Sequence, residues 1–253
     1  MIAPSSDARS TGRTVVWCGG LSLIVLAGVA GLAGCAAGPV PMGGEAAVGQ
    51  AQSIFNGQDL TGWNGDPTYW RVENGAIVGE TTADTPLAQN TFIVWDGGPV
   101  ENFTLKLDFR MNGGNSGVQY RSRLLEGWSA GGYQADMDFA NRYTGMLYEE
   151  RGRGIVATRG QRVVIEPDGR FNVVGSVGDP EALGRAIDMS GWNTYEITAV
   201  GNQLTHRVNG RVTVEVTDDQ VEERSMSGII GLQIHTGPPM RVEFRNITLT
   251  RLP

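Results

Sequence analysis

Three segments of the chain each carry a row of hydrogen-bonding side chains opposite a row of apolar ones. Because successive side chains of a strand point to opposite faces, each polar row would lie on one face of a β-sheet. The rows contain Gln, Arg, Asp and His, whose planar groups make directed and often bidentate hydrogen bonds. Such a face suits a sugar ring, and a solvated outer face is the simpler alternative. The polar rows are Gln119, Arg121 and Arg123; Gln134, Asp136 and Asp138; and Gln233 and His235.

Aromatic and charged residues lie close to these rows in the sequence. Tyr133 and Tyr148 are placed to stack on a sugar ring, with burial in the core as the alternative. A dense charged cluster at residues 149–153 directly follows a predicted strand and contains Arg151. The cluster predicts either polar contacts to a ligand or a salt-bridged surface loop.

A two-residue period runs through most of the chain after residue 51 and predicts the elements that position these rows. Residues 103–111 alternate perfectly between apolar and polar. Asn74-Gly75 and Asn209-Gly210 each separate two alternating runs, and Asn-Gly is the strongest short hairpin signal. Only residues 180–186 favour a short helix. At least ten short strands in about 200 residues predict an all-β domain of two antiparallel sheets packed face to face.

The composition agrees with this fold class and excludes several functions. The 253 residues include 37 Gly, 2 His and 2 Cys, and the formal net charge is −7. Gly at about twice its average share favours many tight turns. His and Cys are too few for a zinc ribbon, a haem protein or a disulfide scaffold. The sequence has no basic stripe and no glycine-rich phosphate-binding motif, so we expect neither nucleic acid nor a nucleotide cofactor as a partner.

The first 50 residues are predicted to be a targeting segment and linker rather than part of the fold. Residues 1–34 combine a charged start, a short apolar run and small residues before Cys35, a pattern that resembles the bacterial lipoprotein signal peptide and its lipidated cysteine. A transmembrane anchor is the alternative, but a span needs about 20 apolar residues. Residues 35–50 would then be the lipidated Cys35 and a flexible linker, and residues 51–253 the folded domain.

This signal also predicts where the protein is found. We expect a lipid-anchored protein of the bacterial cell envelope, periplasmic or outer-membrane, that contacts the membrane through the lipid on Cys35.

His206, which shares its strand face with Leu204 and Val208, is predicted to be a packed core histidine rather than a functional one.

The acidic residues of the second row do not match a conventional glycosidase. Such enzymes use two carboxyls about 5–5.5 Å apart for retention, or about 6.5–9.5 Å apart for inversion. Asp136 and Asp138 would lie about 6.5–7 Å apart at their Cα atoms, which excludes neither outcome. Glucanases of the laminarinase type carry Glu-x-Asp-x-x-Glu or Glu-x-Asp-x-Glu on the catalytic strand, whereas Gln134 occupies the position of the nucleophilic Glu here. An amide cannot form the glycosyl ester, so we expect a different mechanism.

Several motifs, in the same order along the chain, resemble those of one bacterial family. The first is Phe55-Asn56-Gly57-Gln58-Asp59-Leu60-Thr61-Gly62-Trp63. The later ones are Asn115-Ser116-Gly117, Gly132-Tyr133-Gln134-Ala135-Asp136, Gly145-Met146-Leu147-Tyr148, Trp192-Asn193-Thr194-Tyr195, Asn209-Gly210, Gly231-Leu232-Gln233-Ile234-His235 and Phe244-Arg245-Asn246-Ile247. On these motifs, residues 51–253 are similar to the 3-keto-disaccharide hydrolase family, formerly a bacterial domain of unknown function. The resemblance implies a concanavalin A-like jelly-roll sandwich that cleaves glycosides already oxidised to a ketone at sugar carbon 3.

The keto chemistry implied by this resemblance needs no nucleophilic carboxylate. A ketone at carbon 3 acidifies the hydrogen on carbon 2, so a base can remove it and the glycosidic oxygen can leave by β-elimination, after which water adds back. His235 is the natural base, because His titrates nearest neutral pH. Asp136 or Glu149 would hold that base or act as the acid. The expected substrate-binding residues are Gln119, Arg121, Tyr133, Gln134, Tyr148, Arg151 and Gln233.

The developing enolate also needs stabilisation. Arg121 and Arg151 are candidates, and a divalent metal ion on Asp136, Asp138 and Glu149 is the alternative. No other cofactor is predicted, and the expected partner is an oligosaccharide or a 3-keto-glycoside. The alternative function is a non-catalytic, lectin-like lipoprotein that binds sugars at the cell surface.

Overall fold

The computed structural model describes residues 48–253. The predicted signal peptide at residues 1–34, Cys35 and most of the predicted linker therefore lie outside the described residues. In the part of the chain that is described, no helix is both long enough and apolar enough to cross a membrane.

The described residues fold into two β-sheets packed face to face, with one short helix. The strands are β1 (Ala51–Ser53), β2 (Trp63–Asn64), β3 (Trp70–Glu73), β4 (Ala76–Thr81), β5 (Thr91–Trp95), β6 (Phe103–Asn112), β7 (Asn115–Leu125), β8 (Ser129–Asp138), β9 (Leu147–Glu150), β10 (Gly154–Ala157), β11 (Gln161–Ile165), β12 (Phe171–Ser176), β13 (Asn193–Val200), β14 (Gln203–Val208), β15 (Arg211–Asp218), β16 (Ile229–Ile234) and β17 (Met240–Arg251). The helix α1 is Pro180–Arg185. The prediction of an all-β, two-sheet jelly-roll sandwich is confirmed.

The strands are divided between a ten-stranded and a seven-stranded sheet. The larger has the order β12-β11-β15-β14-β13-β6-β17-β4-β3, with β1 also paired to β17. The smaller has the order β10-β9-β8-β7-β16-β5-β2. Neighbours pair antiparallel except β11 and β15, which run parallel. Strands distant in sequence are therefore adjacent in the smaller sheet, and β16 brings residues near 233 between β7 and β5.

The core lies between the sheets and follows the two-residue period of the sequence. On β6, Phe103, Leu105, Leu107, Phe109 and Met111 are buried, and the side chains between them face outward. Burying each large apolar side chain contributes about 1.5–3 kcal/mol to stability. The predicted alternation is confirmed, and it fixes which face of each strand is left for other tasks.

Two tight turns were predicted from Asn-Gly pairs, and both are present. Asn74 and Gly75 join β3 to β4 with φ of 49° and 77°, and Asn209 and Gly210 join β14 to β15 with φ of 49° and 76°. Two consecutive positive φ angles are what a type I′ hairpin turn requires. The predicted short helix is also confirmed, and Asp179 caps it by accepting a hydrogen bond from the backbone N–H of Ala182 at 2.7 Å.

The seven-stranded sheet is unusual in burying polar residues on its outer face. Every residue of β8 is buried, including those that point away from the core. The loop joining β7 to β8 reaches over this face, where the Trp128 carbonyl accepts a hydrogen bond from the backbone N–H of Phe92 at 2.8 Å. The outer face is therefore partly covered near β5.

Candidate functional site

A cavity of about 300 Å³ lies on the outer face of the seven-stranded sheet, over β8 and β9. Four of the residues predicted from the sequence line it: Gln134, Asp136, Tyr148 and His235. The period of two placed Gln134 and Asp136 on the same face of β8, and the pairing of β9 with β8 puts Tyr148 opposite Gln134. His235 comes from the segment that follows β16. The structure thus brings together four side chains from three segments.

Asp136 is the buried carboxyl of this cavity, with only 4% of its surface exposed. Its Oδ1 accepts a hydrogen bond from Gln134 Nε2 at 2.5 Å, and its Oδ2 accepts one from Asn115 Nδ2 at 3.5 Å. Burial raises the pKa of Asp136 to about 7, because these two amides offset only part of the desolvation and the charges of Asp138 and Glu150 act in the same direction as burial. Near neutral pH this carboxyl can therefore hold or release a proton.

A chain of hydrogen bonds leads to Asp136 across two strands. Ser122 Oγ donates to Gln119 Oε1 at 2.5 Å, and Gln119 Nε2 donates to Gln134 Oε1 at 2.8 Å. Gly117 leaves space for this chain, since a Cβ there would fall 2.5 Å from Gln134 Cγ. Each donor in turn fixes the orientation of the next amide, so Gln134 is held with its NH₂ group toward Asp136.

His235 is half-buried and has one ring nitrogen engaged. Its Nδ1 lies 2.6 Å from the Thr236 carbonyl oxygen. A carbonyl only accepts, so Nδ1 carries the hydrogen, and in the neutral ring Nε2 keeps its lone pair. Asn90 holds this segment, because its Oδ1 accepts a hydrogen bond from the Thr236 backbone N–H at 2.9 Å while its Nδ2 donates to Glu150 Oε1 at 3.3 Å.

Six further residues, none of them predicted from the sequence as site residues, line the cavity. Glu150 could have been found, because it shares its strand face with Tyr148, and Asn115 lies in one of the family motifs. Asn90 lies just before β5, and its sequence position carries no signal of a site. The six are Asn90, Asn115, Tyr143, Met146, Glu150 and Ile155.

Glu149 was predicted to be catalytic, and the structure places it elsewhere. It neighbours Tyr148 and Glu150 on β9, so its side chain points to the opposite face of the sheet. There it forms an ion pair with Arg153, which also binds Asp218 Oδ2 at 2.6 Å. The prediction for Glu149 is corrected: it belongs to a buried ion-pair network that connects the two sheets.

Tyr133 was predicted to contact substrate, but it lies in the core. Its hydroxyl donates to Asp218 Oδ2 at 2.5 Å, and its ring stacks on Tyr120 with centroids 5.7 Å apart. The neighbouring Gln134 faces the cavity, so strand alternation requires Tyr133 to face inward. This prediction is corrected to a structural role.

Arg121 was placed with Gln119 by strand parity, and a β-bulge breaks that parity. The register of β7 against β8 shifts between Tyr120 and Arg123, and Arg121 has φ of 47°. The extra residue redirects the side chain, which is buried and donates to the carbonyls of Glu101 at 2.7 Å and Gly201 at 2.5 Å. Arg121 therefore holds loops together and is not at the cavity.

The remaining predicted binding residues lie near the cavity without lining it. Gln119 donates the hydrogen bond to Gln134 described above. Gln233 is fully buried, and its amide atoms have no hydrogen-bond partner among the described residues. Arg151 is exposed in the turn after β9, where it donates to Gln89 Oε1 at 3.4 Å.

The predicted metal site at Asp136, Asp138 and Glu149 is not formed. Asp138 is used to close the loop after β8: its Oδ1 accepts backbone hydrogen bonds from Tyr143 at 2.6 Å and Thr144 at 3.0 Å. Glu149 lies on the other face of the sheet. Within residues 48–253, no three His, Cys, Asp or Glu side chains are arranged to hold a metal ion. The residues therefore do not fit a divalent ion at this position.

The prediction that His206 is a core residue is confirmed. It is fully buried, and burial lowers its pKa to about 3. Its Nδ1 lies 3.2 Å from the Met146 carbonyl, and the Tyr120 hydroxyl lies 2.9 Å from Nε2. His235 is thus the histidine that is available at the cavity.

The arrangement defines a β-sandwich of the galectin and concanavalin A fold class with a polar cavity on one outer face. Residues 50–250 match the family model described as the 3-keto-alpha-glucoside-1,2-lyase-like domain, so the chain belongs to this 3-keto-disaccharide hydrolase family. No curated protein sequence matches the chain significantly.

Solved structures agree on the fold. A putative glycosyl hydrolase from Parabacteroides distasonis is 20% identical with a TM-score of 0.53, covering 80% of this chain and 100% of its own. A protein of unknown function with a galectin-like fold from Bacillus subtilis is 11% identical with a TM-score of 0.54, covering 82% and 97%. The carbohydrate-binding module CBM66 from Bacillus subtilis is 16% identical with a TM-score of 0.50, covering 76% and 96%.

Proposed function

We propose that this domain cleaves 3-keto-glycosides, and 3-keto-disaccharides in particular, by elimination followed by addition of water. The observation that carries the proposal is the pairing, in one cavity, of a histidine with a free Nε2 and a carboxyl whose pKa is near 7. Membership of a family whose model is described as 3-keto-alpha-glucoside-1,2-lyase-like supports the same chemistry.

His235 serves as the base in this reaction. Its Nε2 takes the proton from carbon 2 of the keto sugar, and the carbon–hydrogen electrons form the enolate with the carbon 3 carbonyl. The Thr236 carbonyl accepts from Nδ1–H and so orients the ring and stabilises the imidazolium that results. A free ring nitrogen facing the cavity is the geometric requirement for this step.

Asp136 serves as the acid. Collapse of the enolate breaks the bond between carbon 1 and the glycosidic oxygen, and the protonated carboxyl gives its proton to that oxygen. Water then adds across the resulting double bond, with hydroxyl to carbon 1 and a proton to carbon 2, so the sum is hydrolysis. A pKa near 7 keeps enough Asp136 protonated at neutral pH for this role.

Neutral amides replace the expected cations around the developing enolate. Asn90 and Asn115 line the cavity and carry N–H donors, whereas Arg121 does not reach it. Preorganised donors of this kind stabilise negative charge without needing to reorganise during the reaction.

The test is release of 3-ketoglucose from 3-keto-trehalose by the purified domain. We expect His235→Ala to lower kcat/KM at least a hundredfold and Asp136→Asn to lower it by a similar factor, because general acid–base groups contribute about 10²–10⁴ each. Arg170→Ala, an exposed residue in the hairpin between β11 and β12, should retain wild-type activity. Wild-type kcat/KM should fall as the pH rises above about 7, where Asp136 loses its proton. Unchanged turnover in His235→Ala would remove this residue from the mechanism.

A sugar-binding module is the second candidate, favoured by Gln134 in the position that a nucleophilic carboxylate would occupy in a conventional glycosidase. The similarity in fold to CBM66, whose name describes a carbohydrate-binding module, is compatible with it. Failure to cleave 3-keto-trehalose, 3-keto-sucrose and 3-keto-lactose, together with calorimetric binding of the same sugars, would favour this function over catalysis.

We also propose that Cys35 carries a lipid and holds the domain at the bacterial envelope. The signal-like pattern before Cys35 supports this location. Expressed with its own leader in a Gram-negative host, the protein should fractionate with membranes, and Cys35→Ser should release it to the soluble periplasmic fraction. Equal membrane association of both forms would argue against the lipid anchor.

A further inference from the structure

A second cavity, of about 510 Å³, lies beside the candidate active site. It is lined by Gln89, Leu125, Glu126, Gly127, Ser129 and Arg151. It is larger than the first, and both have the size of small-molecule sites. Arg151 is predicted from the sequence to contact substrate, and it does not line the first cavity.

The two cavities are neighbours because their walls meet at two places, where residues adjacent in sequence line one cavity each. Gln89 lines the second cavity and Asn90 the first; likewise Arg151 lines the second and Glu150 the first. Two hydrogen bonds join these walls, one from Asn90 Nδ2 to Glu150 Oε1 at 3.3 Å and one from Arg151 to Gln89 Oε1 at 3.4 Å. A ligand longer than one ring would therefore cross this boundary to lie in both.

One buried polar group at the second cavity has no partner. The hydroxyl of Ser129 is buried and has no hydrogen-bond partner among the described residues, although a buried polar group normally has one. Arg151 and Gln89 line the same cavity and carry planar groups that donate and accept hydrogen bonds. A sugar ring presents adjacent hydroxyls that can satisfy all of these groups.

We infer that the second cavity is the binding site for the leaving sugar of a disaccharide, with Arg151, Gln89 and Ser129 as its polar contacts. The inference rests on the proposed function, which puts the keto sugar beside Asp136 and His235. It makes Arg151 and Gln89 specificity-determining residues that select a sugar aglycone over a small one.

The test compares two substrates that share the keto sugar: 3-keto-trehalose and methyl 3-keto-α-glucoside. Wild type should prefer the disaccharide at least tenfold in kcat/KM. Arg151→Ala and Gln89→Ala should each lower kcat/KM for the disaccharide at least tenfold, and lower it for the methyl glycoside less than threefold. Arg211→Ala, which changes an exposed arginine at the start of β15, is the matched control and should change neither value.

Ser129→Ala gives an independent readout. It removes a hydroxyl that is unpartnered in the free protein, so Tm should stay the same or rise while kcat/KM for the disaccharide falls. Equal losses on both substrates in the Arg151 and Gln89 variants, or no preference in wild type, would overturn the inference and leave the proposed function intact.

If wild type cleaves neither of these substrates and also leaves 3-keto-sucrose and 3-keto-lactose intact, the proposed function fails, and binding decides the inference by itself. Calorimetry would then compare trehalose with methyl α-glucoside. At least tenfold tighter binding of trehalose, lost in Arg151→Ala, would support a two-ring site; equal affinities would refute it.

Discussion

Two regions on opposite faces of the seven-stranded sheet bury acids with different partners. In the cavity, Asp136 is held by the neutral amides of Gln134 and Asn115. On the core side, Glu149 and Asp218 share the guanidinium of Arg153. Neutral donors offset only part of the cost of burying a charge, which leaves the pKa of Asp136 near neutrality, whereas a guanidinium supplies an opposite charge. A proton-transfer group needs the first arrangement, and a connection between sheets needs the second.

The core-side network should show the largest effect on stability. Burial alone would lower the pKa of Arg153, but its hydrogen bonds and charge interactions with Asp218 and Glu149 raise it overall. Arg153→Met would leave both acids buried without their cation, so we expect the free energy of unfolding to fall by about 3–5 kcal/mol. Denaturant unfolding measures this.

A matched variant controls for the loss of any ion pair. Arg162→Met breaks an exposed pair with Glu215, and exposed pairs are worth at most about 1 kcal/mol. If Arg153→Met cost no more than Arg162→Met, the contrast between the two regions would be wrong.

Replacing the cavity carboxyl should change the free energy of unfolding in the direction opposite to Arg153→Met, by an amount that depends on pH. The pKa of Asp136 rises from 3.8 to about 7 on folding, so its contribution to stability is fully present below pH 3.8 and is lost as the pH rises through 7. Asn does not titrate, so the stability of Asp136→Asn does not decrease with pH in this way. The stability of the variant relative to wild type should therefore increase between about pH 4 and pH 7 and then level off, by about 4 kcal/mol at most.

Thermal unfolding from pH 4 to pH 9 would check this dependence. Asp84→Asn, at an exposed loop position, is the control and should run parallel to wild type. A stability difference between Asp136→Asn and wild type that does not change with pH would mean that the carboxyl does not take up a proton on folding.

The smallest effect is expected for the acid that was first assigned to catalysis. Glu149→Gln keeps a hydrogen-bond acceptor for Arg153 and removes one charge, while Asp218 still pairs with Arg153. We expect a loss of about 1–2 kcal/mol in stability and less than a twofold change in kcat/KM. The adjacent Glu150→Gln, at the cavity wall, should lower kcat/KM by more than its neighbour does. A larger loss of activity in Glu149→Gln than in Glu150→Gln would restore the original assignment.

Strand periodicity predicted the fold and the central part of the site. Alternation identified the buried row of β6, and the same rule placed Gln134 and Asp136 together on β8. The same rule places Tyr148 and Glu149 on opposite faces of the sheet, although both were expected to belong to one site. Predictions based on parity therefore succeeded where the strand was regular and the rule was applied strictly.

Other parts of the site could not be predicted from local patterns. Arg121 does not share a face with Gln119 because of a β-bulge, and no residue type in β7 predicts that bulge. Asn90 reaches the cavity only through long-range contacts with Thr236 and Glu150, 146 and 60 residues away in sequence. Asp138 has the same residue type and strand face as Asp136, and only the loop that folds back over it makes it structural.

The bare backbone at Gly117 has a consequence for how this fold could change its activity during evolution. One added methyl group there would compete for the volume that Gln134 occupies and would force its amide away from the carboxyl it orients. The sandwich would persist, since the methyl would project from the outer surface and leave the interior untouched. Loss of the proposed chemistry with retention of the cavity is thus one mutational step away, which would be a short path from the proposed enzyme to a sugar-binding module.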